Sequence, residues 1–526
     1  MKIPYKYAVA LTAALGLFMA VLDNTIVNVS LTAMQRSLDA DISTIQWVIT
    51  AYFLAQAAVI PAAGYFSNRL GPKWVFIFAL AVFTLGSLLC GLSPTIAGDR
   101  GGGTLLIAFR VLQGIGGGML FPLATSIAFG AFPPAERAAS SAFVSIPVLL
   151  APTLGPTMGG LLVDSSLGWP WIFYINIPVG ILTIAMISRI MRPEEAREAP
   201  IVRDRFDWTG LVLSMLGVVL VVYAFALVGE TRPGTVTALS PRGEIWGWGY
   251  WLVWTLLGAG LASLLAFGLY ESRVPRDPVL DLRLFREYSF SMATVLTWIV
   301  RATVFGSFFL LPLFLTQFRG LSAVSTGLAL MPQGLGAAFG IISGSRLYDR
   351  IGPRALVVIG LLALAISSWL LVGIDPNITA WGLMPILFLR GVGFGWGGLP
   401  LQTLALSAVT GRALPKASSL YNATAQIFSS IGVAVVSTVF IQGTASEAAE
   451  IAGRAQTAGT PPPRDLPLLA AAASMSDVFW LLTIATGLIV LVALFLPRRS
   501  LKQEQTARAA AAAHPTTEPA RLSPTE

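Results

Sequence analysis

Two short stretches decide how this sequence folds: Arg69-Leu70-Gly71-Pro72-Lys73 and Arg350-Ile351-Gly352-Pro353-Arg354. Each sits in a short loop between two long apolar runs. Equivalent positions lie 281 residues apart, Gly71 to Gly352. A second pair repeats at almost the same distance: Arg110 and Arg390 are 280 apart. Both arginines lead into glycine-rich segments, Gln113-Gly114-Ile115-Gly116-Gly117-Gly118 and Gly393-Phe394-Gly395-Trp396-Gly397-Gly398. Repeats at a common offset are what two homologous bundles leave in a chain.

The rest of the sequence fits that reading. Of 526 residues, 55% are hydrophobic and only 11% charged. A soluble chain carries about 25% charged residues, so these charges are too few to cover a soluble surface of this size. Apolar runs of the roughly 20 residues that a spanning helix needs follow one another almost end to end. They are long and unbroken, unlike the roughly 10-residue alternating strands of a membrane barrel. The sequence predicts an all-α polytopic membrane protein with fourteen spans, at 7–31, 45–66, 74–92, 104–129, 138–163, 171–190, 208–228, 248–270, 289–318, 325–347, 355–372, 381–404, 417–441 and 478–496. Six spans with short loops need about 200 residues. Removing residues 207–287 brings the offset of 281 down to about that length. The expected plan is therefore a six-helix bundle (1–206), two inserted helices with a connector (207–287), a second six-helix bundle (288–497) and a polar, Ala-rich, disordered cytoplasmic tail (498–526).

The net charge of +8 does not point to nucleic acid. With the N-terminus inside, most of the Lys and Arg fall in loops on that side, among them Lys2, Lys6, Arg69, Lys73, Arg137, Arg273, Arg276, Arg350, Arg354 and Arg412. The positive-inside rule then places both termini in the cytoplasm, with anionic lipid headgroups as the partner of the basic surface. Cys90 and His514 are the single cysteine and histidine, so neither a disulfide nor a conventional zinc site has a ligand set. The glycine-rich segments lie inside apolar helices and lack the setting of a dinucleotide fingerprint or the Lys-Ser/Thr of a phosphate loop. No ATPase motif appears and no nucleophile–base set assembles. Energy would come from an ion gradient, without a cofactor.

The motifs carry a family resemblance. Gly64-Tyr65-Phe66-Ser67-Asn68-Arg69-Leu70-Gly71-Pro72-Lys73 resembles the signature loop of the major facilitator superfamily, with Asp349, Arg350 and Gly352 in its second copy. Leu22-Asp23-Asn24-Thr25-Ile26-Val27-Asn28-Val29 is similar to the first-helix motif of its 14-span drug:H⁺ antiporters, the EmrB/QacA type. Arg110 with Gln113-Gly114 matches the fourth-helix motif assigned to proton coupling, and Gly155-Pro156-Thr157-Met158-Gly159-Gly160 the fifth-helix antiporter motif. Gln46-Trp47-Val48 and Trp171-Ile172-Phe173-Tyr174-Ile175-Asn176-Ile177-Pro178 add subfamily character. Departures are Asn68 for the usual Asp, Ser345 at the position of Gly64, and Thr32 and Pro170 where Pro and Arg are common. The resemblance implies a major facilitator fold and a proton-coupled multidrug exporter of lipophilic compounds in a bacterial plasma (inner) membrane. Exporters of lipids, fatty acids or siderophores share the fold, and a non-transporting scaffold or receptor is the rival from another class. A periplasmic adaptor would be a partner where the host has an outer membrane.

Ionisable residues inside spans are few: Asp23, Arg110, Arg301 and Arg390. Charges at that depth are expensive and usually face a cavity or a partner. Counting helical rise, Asp23 and Arg110 both fall about 6–9 Å from the outer boundary of the core, so they are expected to meet. The pair suits proton coupling, with Asp23 alternating between a bridged anion and a released acid; a static buried bridge is the plainer alternative. Arg301 suits either a cavity favouring anionic ligands or a structural place, and Arg390 reads as the repeat counterpart of Arg110. The substrate cavity is expected to draw on Asn28, Trp47, Gln113, Arg301 and Arg390. Trp246, Trp248, Trp251 and Trp254 fit an interfacial belt.

Overall fold

The computed structural model describes residues 4–40, 42–97, 102–163, 165–192, 207–228, 247–273, 278–321, 323–373, 375, 378–407, 409, 411, 413–458, 460–498 and 503. Among them there is no β-strand. The first six long helices are α1 (Tyr5–Ser37), α2 (Ile42–Leu70), α3 (Pro72–Ala97), α4 (Gly102–Gly130), α5 (Arg137–Val163) and α6 (Asn176–Ile190), the last entered through a helical turn at Trp171–Tyr174. Two follow, α7 (Trp208–Val228) and α8 (Trp251–Glu271). The remaining six are α9 (Tyr288–Leu313), α10 (Ala323–Ile351), α11 (Pro353–Trp369), α12 (Ala380–Ser407), α13 (Ala413–Thr457) and α14 (Leu466–Ala493). Among the described residues, twelve helices are long and apolar enough to cross a membrane. The other two, α5 and the 17-residue α11, take the fifth and eleventh places in the series.

The two Gly-Pro stretches make the same turn. Gly71 and Gly352 sit at φ of +88° and +84°, a left-handed conformation that favours a residue without a Cβ. Their amides close the preceding helices, Gly71 N–H on Ser67 O at 2.9 Å and Gly352 N–H on Tyr348 O at 3.1 Å. Pro72 and Pro353 then open α3 and α11, where a missing amide proton costs nothing. The following cation does the same work in each half. Lys73 Nζ donates to Ser188 O (2.8 Å) and Met191 O (2.6 Å) at the end of α6, and Arg354 Nε to Leu496 O (2.5 Å) just beyond α14. A positive charge at a carbonyl-bearing helix end is favourable. Each loop thus ties its own half together.

Helices α1–α6 pack as one bundle and α9–α14 as another. Between them α5 packs on α10 and α2 on α13, while α7 pairs with α8 and lies against both α2 and α13. Val218 and Val222 of α7 meet Ala57 of α2 there. A core cluster containing Tyr65 and Phe129 of the first bundle, Leu211 of α7 and Leu401 and Leu420 of the second crosses all three parts. At the start of α8, Trp251 and Trp254 are exposed, as a belt requires, whereas Trp248 turns inward and donates Nε1–H to Thr438 Oγ1 of α13 at 2.9 Å. Trp246 lies outside the described residues, as do the connector at 193–206 and the tail beyond 498 apart from Gln503.

Two boundaries differ clearly from the sequence reading. The thirteenth run was expected to end at 441, yet α13 reaches Thr457 and is 45 residues long in all, about 68 Å of rise against a core of about 30 Å. Helix α14 likewise begins at Leu466 rather than at 478. Thr444-Ala445-Ser446-Glu447-Ala448-Ala449-Glu450 is rich in strong helix formers, and Glu450 pairs with Arg454 one turn on. Hydropathy marks where the apolar surface stops, not where backbone hydrogen bonding stops.

Candidate coupling site and central cavity

Three helices of the first bundle meet at Asp23, and two more join through its partners. It lies on α1, and its carboxylate accepts from three donors: Arg110 Nη1 of α4 at 2.6 Å, Gln113 Nε2 of α4 at 2.9 Å and Asn176 Nδ2 of α6 at 2.9 Å. Arg110 Nη1 also donates to Gln113 Oε1 (2.7 Å) and Arg110 Nε to Val48 O of α2 (3.2 Å). The Tyr52 ring lies 4.0 Å from the guanidinium carbon, close enough for a cation–π contact. Asn176 in turn donates to Ser87 Oγ of α3 (3.0 Å), whose own proton goes to Phe173 O (2.9 Å). All of these polar side chains are buried. A charge-assisted network of this kind is stable while every member is present and costly when one is withdrawn.

The fifth-helix motif sits against the same turn of α1. Thr25 Oγ1 donates to Ala151 O of α5 (3.1 Å), and a Cβ on Gly155 would stand 2.1 Å from that hydroxyl oxygen. Only glycine permits α1 and α5 to approach this closely two residues from Asp23. Gly159 and Gly160 are buried on α5, and the side chain of Pro156 lies outside the described residues. Gly64 of the signature loop makes the equivalent close contact between bundles, where a Cβ would be 2.6 Å from Pro415 O and Ser419 Oγ of α13. Asn68, Arg69, Asp349 and Arg350 border that side of the molecule, Asn68 and Asp349 half-buried.

Between the bundles lies a small cavity of about 50 Å³. Leu17, Phe121, Thr125 and Ser145 line it from the first bundle; Thr297, Arg301, Phe394, Gln402, Tyr421 and Asn422 line it from the second. Among the described residues its lining holds one cation, Arg301, and no carboxylate. Leu17 and Asp23 share α1, six residues or about 9 Å apart along its axis.

The cavity is closed towards the signature loops by a stripe along α5, spaced by single helical turns. Ser145 donates to Gln402 Oε1 (3.3 Å) at the cavity wall, and Ser141 bonds Thr403 Oγ1 (2.7 Å) one turn on. A further turn on, Arg137 Nη1 donates to Leu406 O and Val409 O, both at 2.7 Å, and to Ser407 O at 3.3 Å. Ser418 of α13 adds a bond to Pro122 O of α4 at 2.9 Å. The structure is sealed on the loop side.

The expected cavity residues therefore separate. Arg301 lines the cavity. Gln113 belongs to the Asp23–Arg110 network instead, and the side chain of Asn28 lies outside the described residues. Trp47 is 38% exposed and packs on Tyr223 of α7 at 5.8 Å between ring centroids. Arg390 is fully buried away from the lining residues. Three members of the site were not assigned from sequence: Asn176, Ser87 and the clamp residue Arg137. Asn176 left the clearest signal, an amide inside an apolar helix.

The Major Facilitator Superfamily profile matches residues 13–433. The chain belongs to this superfamily. It is 33% identical over 427 residues to the multidrug resistance protein B homolog of Mycobacterium tuberculosis (strain ATCC 25618 / H37Rv), covering 80% of this chain and 73% of that one. It is 30% identical over 434 residues to the fatty acid resistance protein FarB of Neisseria gonorrhoeae, covering 82% and 80%. Among solved structures, a double-tryptophan variant of XylE aligns with a TM-score of 0.62 at 14% identity over 96% of this chain and 99% of that one. That likeness supports the fold of the superfamily member.

Proposed function

We propose that this membrane transporter is a proton-coupled exporter of lipophilic compounds, working by alternating access across a bacterial plasma membrane. In this reading the signature-loop side and both termini are cytoplasmic, all fourteen helices cross the membrane, and the two bundles (1–206 and 288–497) rock about the cavity with 207–287 as an inserted pair. The observation that carries the proposal is the buried Asp23, bridged to Arg110 and held by Gln113 and Asn176, on the helix whose Leu17 forms the cavity wall. Protonation from the outer side removes the charge that Arg110 holds and frees α1 to move against α5. Proton entry then accompanies substrate exit. For a neutral substrate one positive charge moves inward per cycle, which a membrane potential drives by about 2.3 kcal/mol per 100 mV. Named relatives in multidrug resistance support the substrate class, and no cofactor enters the scheme.

The test is Asp23→Asn in proteoliposomes with an imposed pH gradient. Substrate binding is expected to persist while substrate-dependent proton movement and gradient-driven export are lost. If the variant exchanges protons for substrate at the wild-type rate, the reading fails.

A second reading is favoured by Arg301, the one cation among the described lining residues, which include no carboxylate. It suits amphipathic carboxylates, such as fatty acids, and the FarB relative supports it. Exchange of a monoanion for a proton moves two charges in the same electrical sense, about 4.6 kcal/mol per 100 mV. Doubling of the voltage dependence for an anionic substrate, with export of that substrate but not of a neutral one lost in Arg301→Gln, separates this from export of neutral compounds.

A further inference from the structure

The second bundle contains a copy of the coupling site from which the acid is missing. At the offset that maps Gly71 onto Gly352, Ser87 maps onto Ser368 and Asp23 onto Val304, while Arg110 maps onto Arg390 one residue short. Arg390 is fully buried on α12. Its Nη1 donates to Ser368 Oγ of α11 (2.6 Å) and its Nη2 to Ser307 Oγ of α9 (2.7 Å), with the Phe479 ring of α14 at 5.6 Å. Thus Arg390 meets α9, the counterpart of the α1 that carries Asp23, and Ser368, the counterpart of the Ser87 that completes the Asp23 network.

Neither hydroxyl neutralises the charge. Ser368 spends its own proton on Leu364 O (2.8 Å) and Ser307 on Val304 O (2.8 Å), so both act only as neutral acceptors. The Nε–H of Arg390 has no hydrogen-bond partner, and among the described residues no carboxylate lies within ion-pair reach of it. A guanidinium does not shed its proton, and a buried charge without a counter-charge is strongly disfavoured in a membrane interior. In the first bundle the chain supplies that counter-charge as Asp23; in the second it does not.

We propose that Arg390, held in place by Ser307 and Ser368, binds through its free Nε–H a small inorganic monoanion of halide size, which takes in the second bundle the electrostatic place of the Asp23 carboxylate. Full burial and separation from the cavity lining restrict the ligand to ion size and exclude the transported compound. With its charge balanced by the ion, Arg390 ties α9, α11 and α12 together through Ser307 and Ser368, as Asp23 ties α1, α4 and α6.

The test uses the purified full-length transporter in detergent, with sodium chloride or sodium bromide replaced by sodium gluconate at constant ionic strength. Thermal unfolding is expected to shift upwards in chloride and bromide, with a saturable dependence on concentration. Ser307→Asp supplies an internal carboxylate where Ser307 Oγ now accepts from Arg390. That variant is expected to lose the anion dependence and to unfold in gluconate near the wild-type chloride midpoint. Arg390→Gln is expected to lose the dependence too, and where it fails to accumulate, Ser307→Asp decides alone. Equal wild-type midpoints in chloride, bromide and gluconate overturn the proposal, as does full anion dependence retained in Ser307→Asp.

Discussion

Arg137→Ala tests the seal on the loop side. The guanidinium reaches from the start of α5 to three carbonyls at the end of α12, two of them at 2.7 Å. It is the last rung of the stripe that closes the cavity. Charge-assisted hydrogen bonds contribute about 1.5–3 kcal/mol each, and the helix end adds a smaller favourable term. When the bundles part, water replaces some of this, so a net bias of about 2–4 kcal/mol towards the sealed state is a reasonable share. Its loss changes the sealed-to-open ratio by about 30- to 700-fold. Spin labels on cysteines introduced at the exposed residues Leu70 and Ile351, one in each bundle, report the separation on that side. The native Cys90 is buried and out of the label's reach. In wild type a short distance is expected to dominate; in Arg137→Ala a longer population is expected to appear, with Arg137→Lys between them. Identical distance distributions in all three proteins would refute the assignment of Arg137 as a clamp.

Gly64→Ala places a Cβ 2.6 Å from Pro415 O and Ser419 Oγ; the same label pair is expected to show the bundles pushed apart, and an unchanged wild-type distance would count against close packing at this point. Asn176→Ala removes one of three donors to Asp23 and leaves Ser87 Oγ without its amide. Proton movement per substrate exported is expected to fall while equilibrium binding holds, as read by pH-dye and binding measurements on one preparation. Gly71→Ala forces a Cβ into the left-handed region at φ +88° and is expected to cost about 1–2 kcal/mol, seen as a lower unfolding midpoint in detergent. Gly130→Ala, with nothing within 4 Å of the added atom, is the control and leaves the midpoint unchanged or slightly raised.

Much of the bundle was legible because its signals are local or compositional. Long apolar runs mark helices in lipid, where backbone groups must bond within the segment. The Gly-Pro turns and the Arg110/Arg390 pair expose the duplication by spacing alone. Asp23 and Arg110 were matched because each is a rare charge and helical rise sets its depth. What sequence could not decide was the direction in which each helix faces. In a soluble helix the polar side betrays the surface; here lipid-facing residues such as Leu161 and Trp381 are as apolar as the buried Leu106 and Leu387, so periodicity carries little information about rotation. Depth therefore followed from the chain, while partnership waited for the packing. Only the tertiary structure turned Gln113 from the cavity into the ion pair, brought Asn176 and Ser87 to Asp23, carried Arg137 across to α12 and left Arg390 with hydroxyls in place of an acid. Each of these contacts joins different helices, most of them far apart in sequence, and it is the rotation and approach of those helices that decide which donor finds which acceptor.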